Sequence, residues 1–306
     1  MRSIKLGKSD LSVPVIAVGC MRINQLDKPE AERFVQAALG EGAVFFDHAD
    51  VYGDGACEEK FAEAIHMNDA VREKVILQSK CGIRKGVAFD FSKKHILDAV
   101  DGSLKRLKTD YLDVLLLHRP DALVEPEEVA EAFAILQAGG KVRHFGVSNQ
   151  NPMQIQLLQK FVKQPFVANQ LQLSITNAIM ISQGLHVNML DAPAVNRDGS
   201  ILDFCRLNDI TIQPWSPFQY GFFEGVFLDN EKFPELNAKV DEIAAKYSVS
   251  NTTIAIAWLL RHPAKMQPVT GTMNVQRLKD CAKAAEITLT REEWYEIYLA
   301  AGNILP

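Results

Sequence analysis

Several features are scarce or missing in this 306-residue sequence, and each absence closes off a class of protein. The five cysteines, Cys20, Cys57, Cys81, Cys205 and Cys281, are odd in number, scattered and without a CxxC pair. That pattern suits a reduced, cytoplasmic chain and not a disulfide scaffold. No apolar run approaches the ~18 residues that cross a bilayer. The apolar stretch at 13–20 is short and has no clear cleavage site, so it reads poorly as a signal peptide. Lys and Arg number 33 against 38 Asp and Glu, a net charge of −5 with no basic block. Nucleic acid is therefore not an expected partner, because phosphate neutralisation needs clustered cations. The 7 histidines form no HxH or HxxxH pair and no carboxylate cluster has metal spacing, so no metal site is expected. The dinucleotide fingerprint GxGxxG is missing too. What the chain does have is apolar residue: 47% is hydrophobic and 23% charged, enough for a large core.

That apolar content is organised. Short runs at 15–19, 43–47, 75–80, 112–118, 142–148, 167–170, 211–216 and 266–271 alternate with amphipathic stretches. Several runs are continuously apolar, as in strands covered on both faces. Asp27, with Glu30 three residues on and Pro29 in the first turn, predicts a helix beginning at Lys28. Ser92 caps a predicted helix through Arg106 whose inner face is Ile96, Val100, Leu104 and Leu107. Pro126 opens another, with Val129, Phe133 and Leu136 inward and Gly139-Gly140 at its end. Pro234–Tyr247, Asn251–Arg261 and 274–285 continue the alternation. Eight strands alternating with helices imply parallel βαβ units. The count, the length and the missing fingerprint favour an α/β (β/α)8 TIM barrel over an open sheet. The segments 4–7 and 11–13 flank Lys8-Ser9-Asp10 as a short N-terminal β-hairpin that could plug the barrel floor. With no linker and no repeat, residues 1–306 read as one domain.

Chemistry in such barrels sits at the carboxyl ends of the strands. Those ends carry Asp47, Lys80, His118, Ser148-Asn149, Gln170, Ser216 and Thr270, with Tyr52 in the loop after the second strand. A lysine ammonium beside a tyrosine favours phenolate and should lower that tyrosine from ~10 toward neutrality. A carboxylate keeps the lysine charged, and a histidine across the cavity can orient a substrate oxygen. Tyr, Lys, Asp and His together are what protonation of a developing alkoxide requires. The hydride must come from a cofactor.

Phe45-Phe46-Asp47-His48-Ala49-Asp50-Val51-Tyr52-Gly53 resembles the FFDTAxxYG segment of the aldo-keto reductase superfamily. Ile76–Lys80, Asp113–Asp121, Gly146-Val147-Ser148-Asn149, Asn169-Gln170 and Trp215-Ser216-Pro217-Phe218 follow in that family's order, across essentially the whole chain. The resemblance implies a barrel that binds NADPH across its mouth without a Rossmann domain. It implies Tyr52 as general acid, Lys80 and Asp47 as its electrostatic support, and His118 as the group orienting the carbonyl. Ser148, Asn149 and Gln170 would hold the nicotinamide carboxamide, Trp215 would stack on its ring, and Ser216, Pro217 and Phe218 would line the pyrophosphate path. Gly271, Thr272, Met273 and Arg277 match positions near the 2′-phosphate, with Asp280 near the adenine.

This chain departs from that pattern in places. His48 replaces the usual Thr, Gly271 stands where relatives carry Lys, and Cys281 where they carry Asn. Arg277 can still pair with a phosphate, so NADPH is expected over NADH. Expected substrate walls are Met21, Arg22, segment 81–91, Arg119, segment 173–197 and the loop beyond Phe218. Arg22 or Arg119 would favour an anionic substrate, unless each faces a structural carboxylate. Phe218, Phe222, Phe223 and Phe227 either form a lid or anchor their loop. Asp50 and Asp54 are expected to be solvated or loop-capping, and His144 a packed or rim residue. The short tail suggests an open pocket for small aldehydes and ketones, in a monomer or weak homo-oligomer. Two other functions fit parts of the pattern. One is a nucleotide-sensing subunit on the same fold with little turnover, and the other is a Schiff-base aldolase using Lys80.

Overall fold

Eight parallel strands close into a barrel in chain order: Ala17–Gly19, Phe45–Asp47, Ile76–Cys81, Leu112–Leu117, Val142–Ser148, Phe166–Gln172, Thr211–Trp215 and Val269–Thr270. The structure, a computed structural model, describes residues 1–303. Its third, fourth and sixth strands are buried almost throughout, as in strands covered on both faces, and the polar residues they contain, such as Gln78, Lys80 and Gln170, are buried with them. The eighth is shorter than the sequence pattern predicts. Pro268 has no N–H to donate, so only its carbonyl joins the ladder, accepting from Ala17 N at 3.0 Å. The first strand also starts late, because Val15 N donates to Arg2 O in the hairpin instead.

The helices follow their capping signals. Asp27 and Glu30 form a reciprocal capping box at the start of Lys28–Gly40. Ser92 caps Lys93–Leu107, whose buried residues include Ile96, Val100, Leu104 and Leu107. Pro126–Ala138, Pro234–Tyr247, Asn251–Arg261 and Val275–Lys283 supply further parts of the outer layer. No helix among the described residues is long and apolar enough to cross a membrane.

The floor of the barrel is closed from outside. Ser3–Lys5 and Ser12–Pro14 pair antiparallel, and the loop end of this hairpin sends Leu6 and Val13 to pack with Ala17, Phe45, Val114, Leu116, Val167, Ala168 and Val269. Gly7 makes that approach possible. Its φ is 52°, its N–H donates to Thr211 Oγ1 at 2.8 Å, and a Cβ there would lie 2.4 Å from Val167 O. The hairpin also holds Asp10, whose carboxylate meets His144 Nε2 at 3.1 Å on the side of the barrel away from the mouth. Along the strands the apolar floor gives way to polar residues, with Asp47 following Phe45 and Gln170 following Ala168. This change of lining separates a packed apolar floor from a polar mouth.

Candidate active site

Lys80 is the pivot of the mouth. It is fully buried at the end of the third strand, and its Nζ donates to Asp47 Oδ2 at 2.8 Å, His48 O at 2.8 Å and the Tyr52 hydroxyl at 3.1 Å. All its N–H groups are thereby committed, which is how a buried ammonium is tolerated. Burial alone would lower its pKa, but Asp47 and Tyr52 outweigh burial and hold Lys80 above its ordinary value. Tyr52 begins a tight turn, Tyr52–Gly55, that ends with Gly55 at φ 95°. A Cβ on Gly55 would sit 2.7 Å from Arg106 Cδ, so the turn packs where only glycine fits. The tyrosine pKa differs from the expected direction. Burial raises it, and the opposing pull of Lys80 does not bring it below its ordinary value. Tyr52 therefore carries its proton at neutral pH.

His118 leaves the end of the fourth strand with its ring edge-on to Tyr52, centroids 5.7 Å apart. Burial, then the charges of Lys80 and Arg119, push its pKa well down, so the imidazole is neutral. Its Nδ1 is buried without a partner. A proton on Nε2 then leaves only a lone pair unsatisfied, the less costly arrangement.

Beneath these groups lies a network that sequence reasoning missed. Asp47 Oδ1 accepts from Gln78 Nε2 at 2.7 Å and from Gln170 Nε2 at 3.2 Å. Gln78 exchanges hydrogen bonds with Gln213, which donates to Gln267, and Gln267 donates to Pro14 O at 2.7 Å. All four glutamines are essentially buried. The network fixes the carboxylate that holds Lys80, and it runs from the mouth to the hairpin floor.

A cavity of about 570 Å³ runs across the mouth from Tyr52 and His118 to Arg277. It brings together Asp47, Tyr52 and His118 with Ser148, Asn149, Gln170, Trp215, Ser216, Pro217, Phe218, Gly271, Thr272 and Arg277. Met21, Arg22 and Arg119 line it as well. Asn149 donates through Nδ2 to Ser148 Oγ at 2.8 Å and accepts from Trp215 Nε1 at 3.2 Å, which ties the indole plane to the fifth strand. Met273 and Asp280 lie off the lining. Met273 packs on the core, and the Asp280 carboxylate accepts from Gln276. Cys281 is fully buried, and burial pushes its thiol pKa up. The other four cysteines are free and buried too.

One expectation about the surroundings changes and two gain detail. Segment 173–197 does not line the cavity. Ser174 and Thr176 bind Gln219 O, so this segment supports the small hairpin Gln219–Tyr220/Gly225–Val226, and the hairpin faces the mouth in its place. The phenylalanines differ in their surroundings. Phe227 is fully buried as an anchor, whereas Phe223 stacks on Trp215 at 5.8 Å and Phe222 meets it edge-on at 6.4 Å. Asp50 is half-buried. Its N–H donates to Lys80 O, its Oδ1 is buried without a partner, and burial followed by the nearby Glu58 pushes its pKa up to about 7. Asp54 does face solvent, paired with Lys85. His48 points away from the mouth onto Phe61, ring centroids 4.6 Å apart.

Sequence and fold comparisons show what the chain is similar to. The Aldo/keto reductase family profile matches residues 15–300. The uncharacterized oxidoreductase YcsN of Bacillus subtilis is 34% identical, covering 98% of both chains. A 6-dehydroglucose reductase of Agrobacterium fabrum is 33% identical over 88% of this chain and 87% of its own. Among solved structures, a thermostable aldo-keto reductase, Tm1743, crystallised with the inhibitor epalrestat, superposes with a TM-score of 0.79 at 26% identity, covering 98% of this chain and 100% of its own. An aldo-keto reductase of Klebsiella pneumoniae crystallised with NADPH also gives 0.79, at 23% identity, covering 100% of this chain and 96% of its own.

Proposed function

The chain belongs to the aldo/keto reductase family, and on that premise we propose that it reduces small aldehydes and ketones reversibly to alcohols with NADP(H), with Tyr52 donating the proton. The observation that carries this reading is the bonding of Lys80 Nζ to both Asp47 and the Tyr52 hydroxyl inside the barrel mouth. A neutral tyrosine is a loaded acid, and transfer of its proton to a carbonyl oxygen leaves a phenolate. The ammonium 3.1 Å away offsets that negative charge without having to move into place. Neutral His118 would hydrogen-bond the same oxygen and fix its direction. Asp47, held by Lys80 and two glutamines, keeps the ammonium charged through the step.

The cavity fits a nicotinamide dinucleotide. One end carries Ser148, Asn149 and Gln170, amide and hydroxyl groups suited to a carboxamide, beside the flat face of Trp215. The other end carries Thr272 and the exposed Arg277, suited to a phosphate. Ser216, Pro217 and Phe218 lie between, along the path of a pyrophosphate. When bound, the reduced nicotinamide supplies the hydride that no side chain can give. Met21, Arg22 and Arg119 would border the substrate. We read residues 1–306 as one such unit, a monomer or weak homo-oligomer, and its five reduced cysteines are consistent with the cytoplasm.

The test is Tyr52→Phe. Carbonyl reduction should fall by roughly 10²–10⁴-fold, while quenching of tryptophan fluorescence by NADPH persists. Reduction at the wild-type rate would remove Tyr52 as the donor. Lys80→Met should impair turnover as well, since the phenolate would lose its ammonium.

A further inference from the structure

Arg119 is a cation without a counter-ion. It follows His118 directly, lines the mouth cavity and is half-buried, yet it makes no hydrogen bond or ion pair with any described residue. Its guanidinium lies over the face of Trp215, 5.6 Å from the ring centroid. Elsewhere in this protein, arginines in comparable surroundings hold carboxylates: Arg72 pairs with Asp113 at 2.7 Å and Arg106 with Glu58 at 2.8 Å. Arg22, another arginine of the cavity lining, donates to Gly271 O at 3.1 Å.

Nor is a carboxylate of the cavity lining free to turn toward Arg119. Of the cavity's acids, Asp47 is held by Lys80 and Asp229 by Asn251. Asp121, two residues along, accepts from the backbone N–H groups of Phe91 and Leu123. A desolvated guanidinium without an acceptor is costly to keep, and that cost is recovered when an oxyanion binds bidentately. The charge is felt at the reaction centre, since both Tyr52 and His118 are shifted downward by it.

We propose that Arg119 is a specificity residue that binds a carboxylate of the substrate, so that the preferred substrates are short aldehydes or ketones carrying a carboxylate within a few bonds of the carbonyl. The inference rests on the reading of Tyr52 and His118 as the carbonyl site. The guanidinium leaves the same strand end as His118, so one small molecule can present its carbonyl to one group and its carboxylate to the other. The Trp215 ring lies within cation–π range of the guanidinium, which favours its placement at the mouth.

The experiment compares 4-oxobutanoate with its methyl ester, of similar length but uncharged, in the full chain and in Arg119→Gln. The wild type should favour the acid in kcat/KM by about tenfold or more, the size of one charge-assisted hydrogen bond. Arg119→Gln should lose at least about tenfold more activity toward the acid than toward the ester, and Arg119→Lys should restore part of the difference. Binding of 4-hydroxybutanoate, followed by fluorescence of Trp215, should weaken in Arg119→Gln to a similar degree. Equal use of acid and ester by the wild type, or equal losses in the variant, would overturn the inference. If neither aldehyde is reduced, the carbonyl-site reading is what fails, and the fluorescence titration alone decides the carboxylate subsite: selective binding lost in Arg119→Gln supports it, and its absence refutes it.

Discussion

At the scale of single residues, the mouth combines groups held in opposite charge states by one environment. Lys80 stays protonated because Asp47 and Tyr52 outweigh burial, whereas His118 and His48 are neutral because burial and Lys80 act in the same direction. His48 gives this a measurable consequence. Its pKa is pushed down to about 3 by burial and Lys80, and both ring nitrogens are buried without partners. An unfolded histidine takes up a proton near pH 6.5, so stability from a neutral buried one is present above that pH and lost as the pH falls below it. At pH 5 this single residue should cost about 2 kcal/mol. Urea titrations at pH 7.5 and 5 should show a smaller loss for His48→Phe than for the wild type; equal losses would contradict this account of His48. Gln78 is the second residue with a direct test. Gln78→Leu removes a 2.7 Å donor from Asp47 and one of the hydrogen-bond partners of Gln213, so stability should fall by about 1–3 kcal/mol and kcat by roughly tenfold with KM little changed. Kinetics and denaturant titration check both. Asp47, Lys80 and His118 were legible in the sequence because each is a polar residue closing an apolar run at the same end of a strand, and Tyr52 because it sits in the loop just after one of those ends. Gln78 and Gln213 were not, because an amide within such a run has no charge to mark it and its partners are remote in sequence.

Among the elements, legibility tracked local signals. Helices beginning at Asp27 and Ser92 appear where side-chain caps predict them, and Pro234–Tyr247 and Asn251–Arg261 have the predicted bounds. The first, second and eighth barrel strands are shorter than their apolar runs, because a strand's length is set by its neighbours' hydrogen bonds as much as by its own composition. The contribution of segment 173–197 was misread for a related reason. What decides its position is a pair of hydroxyl contacts to Gln219, 43 and 45 residues away in sequence, which no periodicity records. The floor hairpin depends on one backbone conformation. Gly7→Ala introduces a Cβ only 2.4 Å from Val167 O at φ 52°, and should destabilise the chain by about 1–3 kcal/mol or more. A thermal melt unchanged from wild type would mean that the hairpin does not seal the barrel.

Across the whole molecule, the barrel separates stability from chemistry. Its floor is apolar and closed by the hairpin, and its mouth gathers polar groups from the ends of strands far apart in sequence. That arrangement explains how the chain can offer a dinucleotide-sized cavity without a GxGxxG turn: the recognition groups come from many strand ends instead of one glycine-rich loop. Arg277 at the far end of the cavity should set cofactor choice. Arg277→Ala should weaken NADPH binding by about tenfold or more and leave NADH binding nearly unchanged, read directly by fluorescence titration without turnover.

Transfer of hydride and proton to a carbonyl in this mouth is measured by the loss of reduced-nicotinamide absorbance from NADPH with a panel of small aldehydes, ketones and carbonyl acids. The account predicts oxidation that requires both the protein and a carbonyl compound. NADPH that binds, with quenched tryptophan fluorescence, yet is oxidised with none of the panel would contradict it and point to a nucleotide-sensing role on the same fold.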